Sequence, residues 1–373
     1  MGVVRSQTQR RWAAVALGVA VLCALPVLAS ALPVDVPKLT AGQLRARILA
    51  SASMSYSGYA ESNATFGLPP LAGLNSVTSL LDGVTKMRVW QAAPQRWRVD
   101  VLTDAGERDT YQLGAAGYEW NSGAQLLTEV VPAPRGLPTI RLPRAADLTP
   151  TSLAQRVLSL VGTSAARFGT LPPVRVAGQA AAGLRVTPTD PASTIGAVDI
   201  WAQPSTGLPL MVEVYGRGAR TPALQSQFFQ VGPWTPAGTV LTPPPRVPGT
   251  GFTTASASNL HSALHNLSFE LLPVTLAGRK RVSRQVTNVG VYGSGLALFT
   301  VLAVRGGNFI ADARSDGGTP YSFPHGTGYL LSASLVNAVV VQEDGSADTF
   351  LLAGTVSGKL LLQAAVELTS SPP

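Results

Sequence analysis

The chain has 373 residues, a formal net charge of +8, 46% hydrophobic and 13% charged residues, and a single cysteine, Cys23. That length can bury more than one core. The apolar, charge-poor composition with periodic strand patterns excludes a disordered chain, and one cysteine excludes an intramolecular disulfide framework.

Arg5, Arg10 and Arg11, the apolar run Trp12 to Leu28 and the small-x-small Ala29-Ser30-Ala31 have the layout of a secretory signal peptide over residues 1–31. The run from Trp12 to Val34 is also long enough to remain as an uncleaved anchor. Either way the rest of the chain is expected outside the cytoplasm. Leu22 ahead of Cys23 argues against a lipobox. Without residues 1–31 the net charge is +5, which suits an anionic surface. Nucleic acid is not an expected partner there.

Residues 38–53 read as an amphipathic helix, with Thr40 and Gln43 as a capping box and Leu44, Ile48 and Ala52 on one face. A strand follows over Met54 to Asn63. Gly67 to Gly83 is rich in leucine, proline and glycine and nearly uncharged, and reads equally as a mobile flap over an apolar mouth or as a short helical plug. Strands are expected at Thr85–Gln91, Arg96–Leu102, Arg108–Leu113, Gly117–Trp120 and Gln125–Val131. In the second of these Trp97, Val99 and Val101 take one face and Arg96, Arg98 and Asp100 the other, as in an antiparallel sheet with one solvated side.

Pro132 to Pro150 is a Pro/Arg-rich connection, and Thr149-Pro150 opens a second helix striped by Leu153, Val157, Leu160 and Val161. Strands at Val174–Val176 and Gly183–Thr187 lead into the clearest hairpin, Gly196 to Tyr215, turning at Pro204-Ser-Thr-Gly207. Its alternation puts Val198, Ile200, Leu210, Val212 and Val214 on a buried face. Asp199 and Glu213 are expected to face water, and Trp201 and Tyr215 on that polar face require a covering element. One more strand runs over Gln225–Val231. Leu241-Thr-Pro-Pro-Pro to Gly251 reads as a domain boundary, because consecutive prolines cannot join a ladder. Beyond it strands are expected at Leu271–Leu276, Gln285–Tyr292, Leu296–Val304, Gly328–Leu335, Ala338–Gln342 and Thr349–Leu352, with a closing helix over Ser357–Leu368.

Several segments carry a resemblance: Tyr56-Ser-Gly-Tyr59, Lys86-Met-Arg-Val-Trp90, Arg96-Trp-Arg-Val-Asp100, Gly106-Glu-Arg-Asp-Thr-Tyr111, Val198-Asp-Ile-Trp201 with Thr206-Gly-Leu-Pro-Leu210, and Val291-Tyr-Gly-Ser-Gly-Leu-Ala-Leu-Phe299. In this order the chain resembles the LolA/LolB/RseB superfamily, and most of all the MucB/RseB sigma-E regulators. The resemblance implies an α+β, mainly antiparallel fold. A half-open β-barrel plugged by helices would span residues 38–245, and a smaller antiparallel α+β domain residues 252–370. It implies a lipid or an acylated protein as ligand in an apolar cavity, and a membrane-bound anti-sigma factor as partner. A membrane transporter is the other regulatory partner considered.

Catalytic constellations are sparse. His261 and His265 stand at i, i+4 but lack a third ligand, and His325-Gly-Thr-Gly328 has no nucleophile elbow beside it. Glu107, Asp109, Glu119 and Glu129 read as surface charge on solvated strand faces. No metal, cofactor or enzymatic activity is expected. The candidate ligand-binding residues are Leu68, Leu71, Leu74, Leu80 and Leu81 in the flap, and Trp97, Val99, Val101, Val198, Ile200 and Val212 in the wall. Arg279, Lys280, Arg281 and Arg284 form a basic cluster suited to an acidic partner or an anionic surface.

Overall fold

A computed structural model of the chain describes residues 34–67, 75–103, 106–132, 141–162, 164–256, 271–282, 289–306, 308–346 and 348–370, and residues 12, 15 and 16 singly. In the first part, helices α1 (Ala41–Ala50), α2 (Asn75–Leu81) and α3 (Pro150–Leu160) accompany strands β1 (Tyr56–Thr65), β2 (Asp82–Ala93), β3 (Arg96–Thr103), β4 (Gly106–Leu113), β5 (Ala116–Asn121), β6 (Leu126–Val131), β7 (Ala166–Val176), β8 (Gln179–Pro188), β9 (Ile195–Ala202), β10 (Pro209–Gly216), β11 (Leu224–Gly232) and β12 (Gly251–Ser256). All twelve strands form one sheet, in the order β12-β6-β5-β4-β3-β2-β1-β11-β10-β9-β8-β7. Every pairing is antiparallel except β12 on β6.

The sheet curls without closing into a barrel. The Gln179 side-chain amide on β8 donates to the Val231 carbonyl on β11 at 2.9 Å, across the two strands between them. Both helix starts form as the sequence leads one to expect. The Thr40 hydroxyl accepts the Gln43 N–H at 3.2 Å while the Gln43 side chain accepts the Thr40 N–H at 2.9 Å. Thr149 caps α3 ahead of its first-turn proline. Both helices lie on the concave face of β8 to β11. Leu44, Ile48 and Leu158 pack there against Leu184, Val198, Ile200 and Val212. Each such burial contributes about 1.5–3 kcal/mol, far more than the caps, so the apolar face decides where the helices dock.

The Gly196–Tyr215 hairpin forms with Ile200 opposite Val212 and Asp199 opposite Glu213. Its turn also seats α1: the Arg47 guanidinium donates to the Pro204 carbonyl. Gly207 has φ +76°, and a Cβ there would overlap the Arg47 carbonyl. On the convex face one expectation fails, that Asp199 faces water, and one is met, that Trp201 is covered. Asp199 is 1% exposed, because Arg185 on β8 folds over it with hydrogen bonds of 2.7 and 2.6 Å. Trp201 is covered by β7, its indole N–H donating to the Pro172 carbonyl at 3.2 Å.

The second part holds a short hairpin, β13 (Thr275–Leu276) with β14 (Arg279–Lys280), and a six-stranded antiparallel sheet. That sheet comprises β15 (Val289–Ser294), β16 (Ala297–Arg305), β17 (Thr319–Phe323), β18 (Gly326–Ser332), β19 (Asn337–Glu343) and β20 (Asp348–Gly354), in the order β15-β16-β20-β19-β18-β17. Helix α4 (Phe309–Ser315) lies between β16 and β17, and α5 (Gly358–Ser370) packs Leu361, Ala364, Ala365 and Leu368 against Phe299, Val339 and Phe350. Helix α4 and strands β12 and β17 form without any periodic signal in their residues, and the expected Leu271–Leu276 strand shrinks to its last two residues.

The two parts are bonded at the loop after β8. Ser357 N–H donates to the Ala192 carbonyl at 2.7 Å, and Thr194 N–H to the Thr355 carbonyl at 3.1 Å. Leu296 and Leu335 enter the first core. Among the described residues no helix is long and apolar enough to cross a membrane. Gly207→Ala is expected to destabilise the chain by about 1–3 kcal/mol, since a side chain there meets both a left-handed backbone and α1. Urea denaturation of the variant against the parent measures it.

Candidate ligand groove and buried charge cluster

Helices α1 and α3 cover the concave face of β8 to β11 and leave that of β2 to β6 to smaller elements. Helix α2 and the turn at Ala145–Leu148 flank it. Between them runs a groove of about 790 Å³ bordered by Leu80, Thr85, Val101, Thr110, Glu119 and Ala145. A second hollow of about 280 Å³ continues toward α3, with Tyr56, Val89, Trp97, Val99, Arg144 and Thr151 in its wall. Arg144 borders both hollows.

The groove has an apolar floor and a polar rim. Tyr56 packs edge-on to Phe228, ring centroids 5.9 Å apart, and its hydroxyl lies 2.6 Å from the Thr151 hydroxyl. Burial pushes the Tyr56 phenol up to about 12. On the rim Arg141 grips Asp147 with two hydrogen bonds of 2.7 and 2.6 Å. Although burial opposes it, that grip holds the Asp147 carboxyl below its usual range. Arg144 lies 3.4 Å from Glu119. The atom facing Glu119 is the buried Nε, which is ion-paired there without closing a hydrogen bond, and burial lowers the pKa of the guanidinium. A cation held this way suits an anionic group entering the groove.

The expected wall residues divide. Trp97, Val99, Val101 and Leu80 border the two hollows. Val198, Ile200 and Val212 are fully buried beneath α1 and α3, in the core rather than in the walls of these two hollows. Leu81 packs against the core from α2. Leu68, Leu71 and Leu74 lie outside the described residues, as do Arg284, His261 and His265. The remaining basic residues are not one patch. Arg279 pairs with Asp190, one hydrogen bond at 3.0 Å, and so ties the two parts together. Arg281 donates to the Leu272 carbonyl at 3.0 Å, and Lys280 is exposed.

The convex side of β2 to β5 holds what the sequence reading placed in water. Asp100 is 0% and Asp109 4% exposed. They face each other across β3 and β4. The Arg98 guanidinium donates to both Asp100 oxygens, at 2.5 and 2.7 Å, and to Asp109 at 3.0 Å. The same group sits 5.1 Å from the ring centroids of Trp90 and Tyr111. Tyr111 donates to Asp109 at 3.1 Å. Oxygens of Asp100, Glu107 and Asp109 lie within 4.8 Å of one another, with the Arg98 guanidinium as the positive charge among them. Burial raises both aspartates, that of Asp100 to about 7, and each is raised further by neighbouring carboxylates.

The cover is the segment 233–245, which crosses this face as a strap. Its Val240 carbonyl accepts from Arg98 at 3.2 Å, and Leu241 is buried. Strand alternation alone could not reveal that cover. The available signal was the strap itself, thirteen residues with Trp234, Leu241 and five prolines but no charge.

No family model matches the sequence. No curated protein matches it. Among solved structures the chain is similar to MucB of Pseudomonas aeruginosa in its complex with MucA, with TM-score 0.49 and 16% identity over 87% of this chain and 97% of that one. It is likewise similar to MucB in complex with MucA(peri), with TM-score 0.49 and 17% identity over 87% and 97%. A LolA-superfamily protein of Nitrosomonas europaea matches at TM-score 0.25 and 12% identity over 55% of this chain and 99% of that one.

Arg98→Met is expected to destabilise the chain by about 3–5 kcal/mol at neutral pH, because it leaves the buried carboxylates without their cation. Guanidinium denaturation followed by tryptophan fluorescence gives the value.

Proposed function

We propose that the chain is an exported binding protein that holds an amphiphile, the acyl group of a lipid or of an acylated protein, along the concave groove without covalent chemistry. The observation that carries this reading is the unequal cover of one curved sheet. Two helices fill the concave face of β8 to β11, while Trp97, Val99 and Val101 border open hollows over β2 to β6. Each 100 Å² of acyl surface buried there contributes about 2.5 kcal/mol. Arg144 on the rim stands where an anionic head would lie.

Protein purified from its own host and extracted with organic solvent is expected to release an acyl-bearing molecule, and added lipid is expected to raise the melting temperature. Val101→Asp, which puts a charge into the groove, is expected to weaken lipid uptake at least tenfold. Extracts with no acyl compound, together with a melting temperature that lipid leaves unmoved, would falsify the reading.

A second reading rests on a different surface. Phe229 and Trp234 are more than half exposed on the convex side, with Tyr59 6.3 Å from the Phe229 ring. An exposed aromatic group of this kind suits a protein partner, here a membrane-bound anti-sigma factor or a membrane transporter. The double variant Phe229→Ser, Trp234→Ser is expected to lose capture of a membrane partner in host extracts and to keep its lipid. Loss of the lipid with the partner retained argues the reverse.

A further inference from the structure

Positive charge is spread unevenly over this molecule. Residues 36–60 and 148–189, which supply α1, α3, β7 and β8, hold seven lysines and arginines and no aspartate or glutamate. Among the described residues only Arg185 of the seven meets a carboxylate, that of Asp199 on the convex face. Arg45 and Arg47 sit on opposite flanks of the buried Leu44–Ile48 stripe of α1. Arg45 donates to the Val161 carbonyl at 3.3 Å and lies 5.1 Å from the Phe168 ring centroid. Arg47 donates to the Pro204 carbonyl. Both acceptors are neutral, so both charges stay uncompensated. Helix α3 lies alongside, its Gln155 amide donating to the Ile48 carbonyl, and the next residue, Arg156, is exposed. Lys38 is exposed just ahead of the Thr40 cap. Other exposed positions of α1 are Gly42, Ala46 and Ala50, too small to hold a flat surface away.

We propose that the outer face of α1 and α3 docks on an anionic phospholipid bilayer, with Lys38, Arg45, Arg47 and Arg156 against its headgroups. A basic face without carboxylates of its own gains from a sheet of phosphates the compensation it lacks within the protein. Each Lys or Arg near such a surface adds to the attraction, which salt screens. A bilayer is favoured over an acidic protein by what the same two helices wall. Ser51 at the end of α1 and Thr151, Ser152 and Gln155 of α3 line the hollow of about 280 Å³. A bilayer met by this face therefore lies beside that hollow. The bilayer assignment rests on the lipid reading of the hollow, whereas the basic face does not. The surface is also distinct from the 279–281 segment, where Arg279 is already paired with Asp190.

Co-sedimentation of the full chain with vesicles tests this. Phosphatidylcholine vesicles with about a third phosphatidylglycerol are expected to bind about tenfold or more tighter than phosphatidylcholine alone at low salt. The preference is expected to vanish near ~1 M salt, where the Debye length is about 3 Å. Insertion of the apolar N-terminal run contributes equally to both vesicles and cancels from the ratio. The double variant Lys38→Glu, Arg156→Glu reverses two exposed charges. It is expected to keep the parent's melting temperature and to lose the preference about tenfold or more. Lys280→Glu, a reversal on β14, is expected to keep the preference, and so is the groove variant Val101→Asp, even where it loses lipid uptake. Equal affinity for the two vesicles, or a double variant with the parent's preference, overturns the proposal. So does loss of the preference in Lys280→Glu or Val101→Asp at an unchanged melting temperature. A chain indifferent to vesicle charge that binds polyglutamate through Lys38 and Arg156 overturns the bilayer in favour of an acidic protein.

Discussion

A sheet has two faces, and a curved sheet of twelve strands has more of both than its helices can cover. The rest of this molecule follows from how that cover is found. Helices α1 and α3 take the concave half at β8 to β11 with a stripe of leucine, isoleucine and valine. The strap crosses the convex half at β2 to β5, accepting from Arg98 at the Val240 carbonyl and burying Leu241. The concave face of β2 to β6 is left with small flanking elements, and there a groove exists because no large one fills it. The candidate site is thus the remainder of a packing problem, which explains why its walls are ordinary strand residues.

Electrostatics divides the two sides of the same strands. Moving along β3, Trp97, Val99 and Val101 look into the groove while Arg98 and Asp100 look into the strap. The convex cluster is dry enough that an ion pair there is a demand for balance as much as a source of stability. The rim cations Arg141 and Arg144 meet Asp147 and Glu119 in partly exposed positions, where pairs are weaker and more readily exchanged for a ligand.

Much of the fold was legible because it is local. Caps at Thr40 and Thr149, the turn at Pro204–Gly207 and the alternation of β3, β9 and β10 are read from neighbouring residues, and they formed. What failed was non-local. Asp199 was placed in water because nothing in its own strand says that Arg185 will lie over it. Asp100 and Asp109 were placed there because the strap that buries them arrives more than a hundred residues later in the chain. The valines and isoleucine of the hairpin and the wall residues of β3 look alike in sequence. Helix cover alone separates them into core and groove. Arg279 and Lys280 are adjacent in sequence, yet the first is an interdomain tie and the second is solvated.

Strand β12 is exposed along its whole length and buries no side chain, yet it lies on β6 over six residues and is the one strand of its sheet that runs parallel to its neighbour. An outer strand with bare amides and carbonyls is a template for other chains. Here the polypeptide leaves the strap, turns at Val247–Thr250 and spends six residues covering β6, becoming the outer strand in its place. Phe252, stacked 3.3 Å from the Arg246 guanidinium, pins the start of that strand. The segment that joins the two parts of the chain is therefore itself the outer margin of the large sheet, and a cut ahead of Gly251 that frees β12 would hand that margin back to β6.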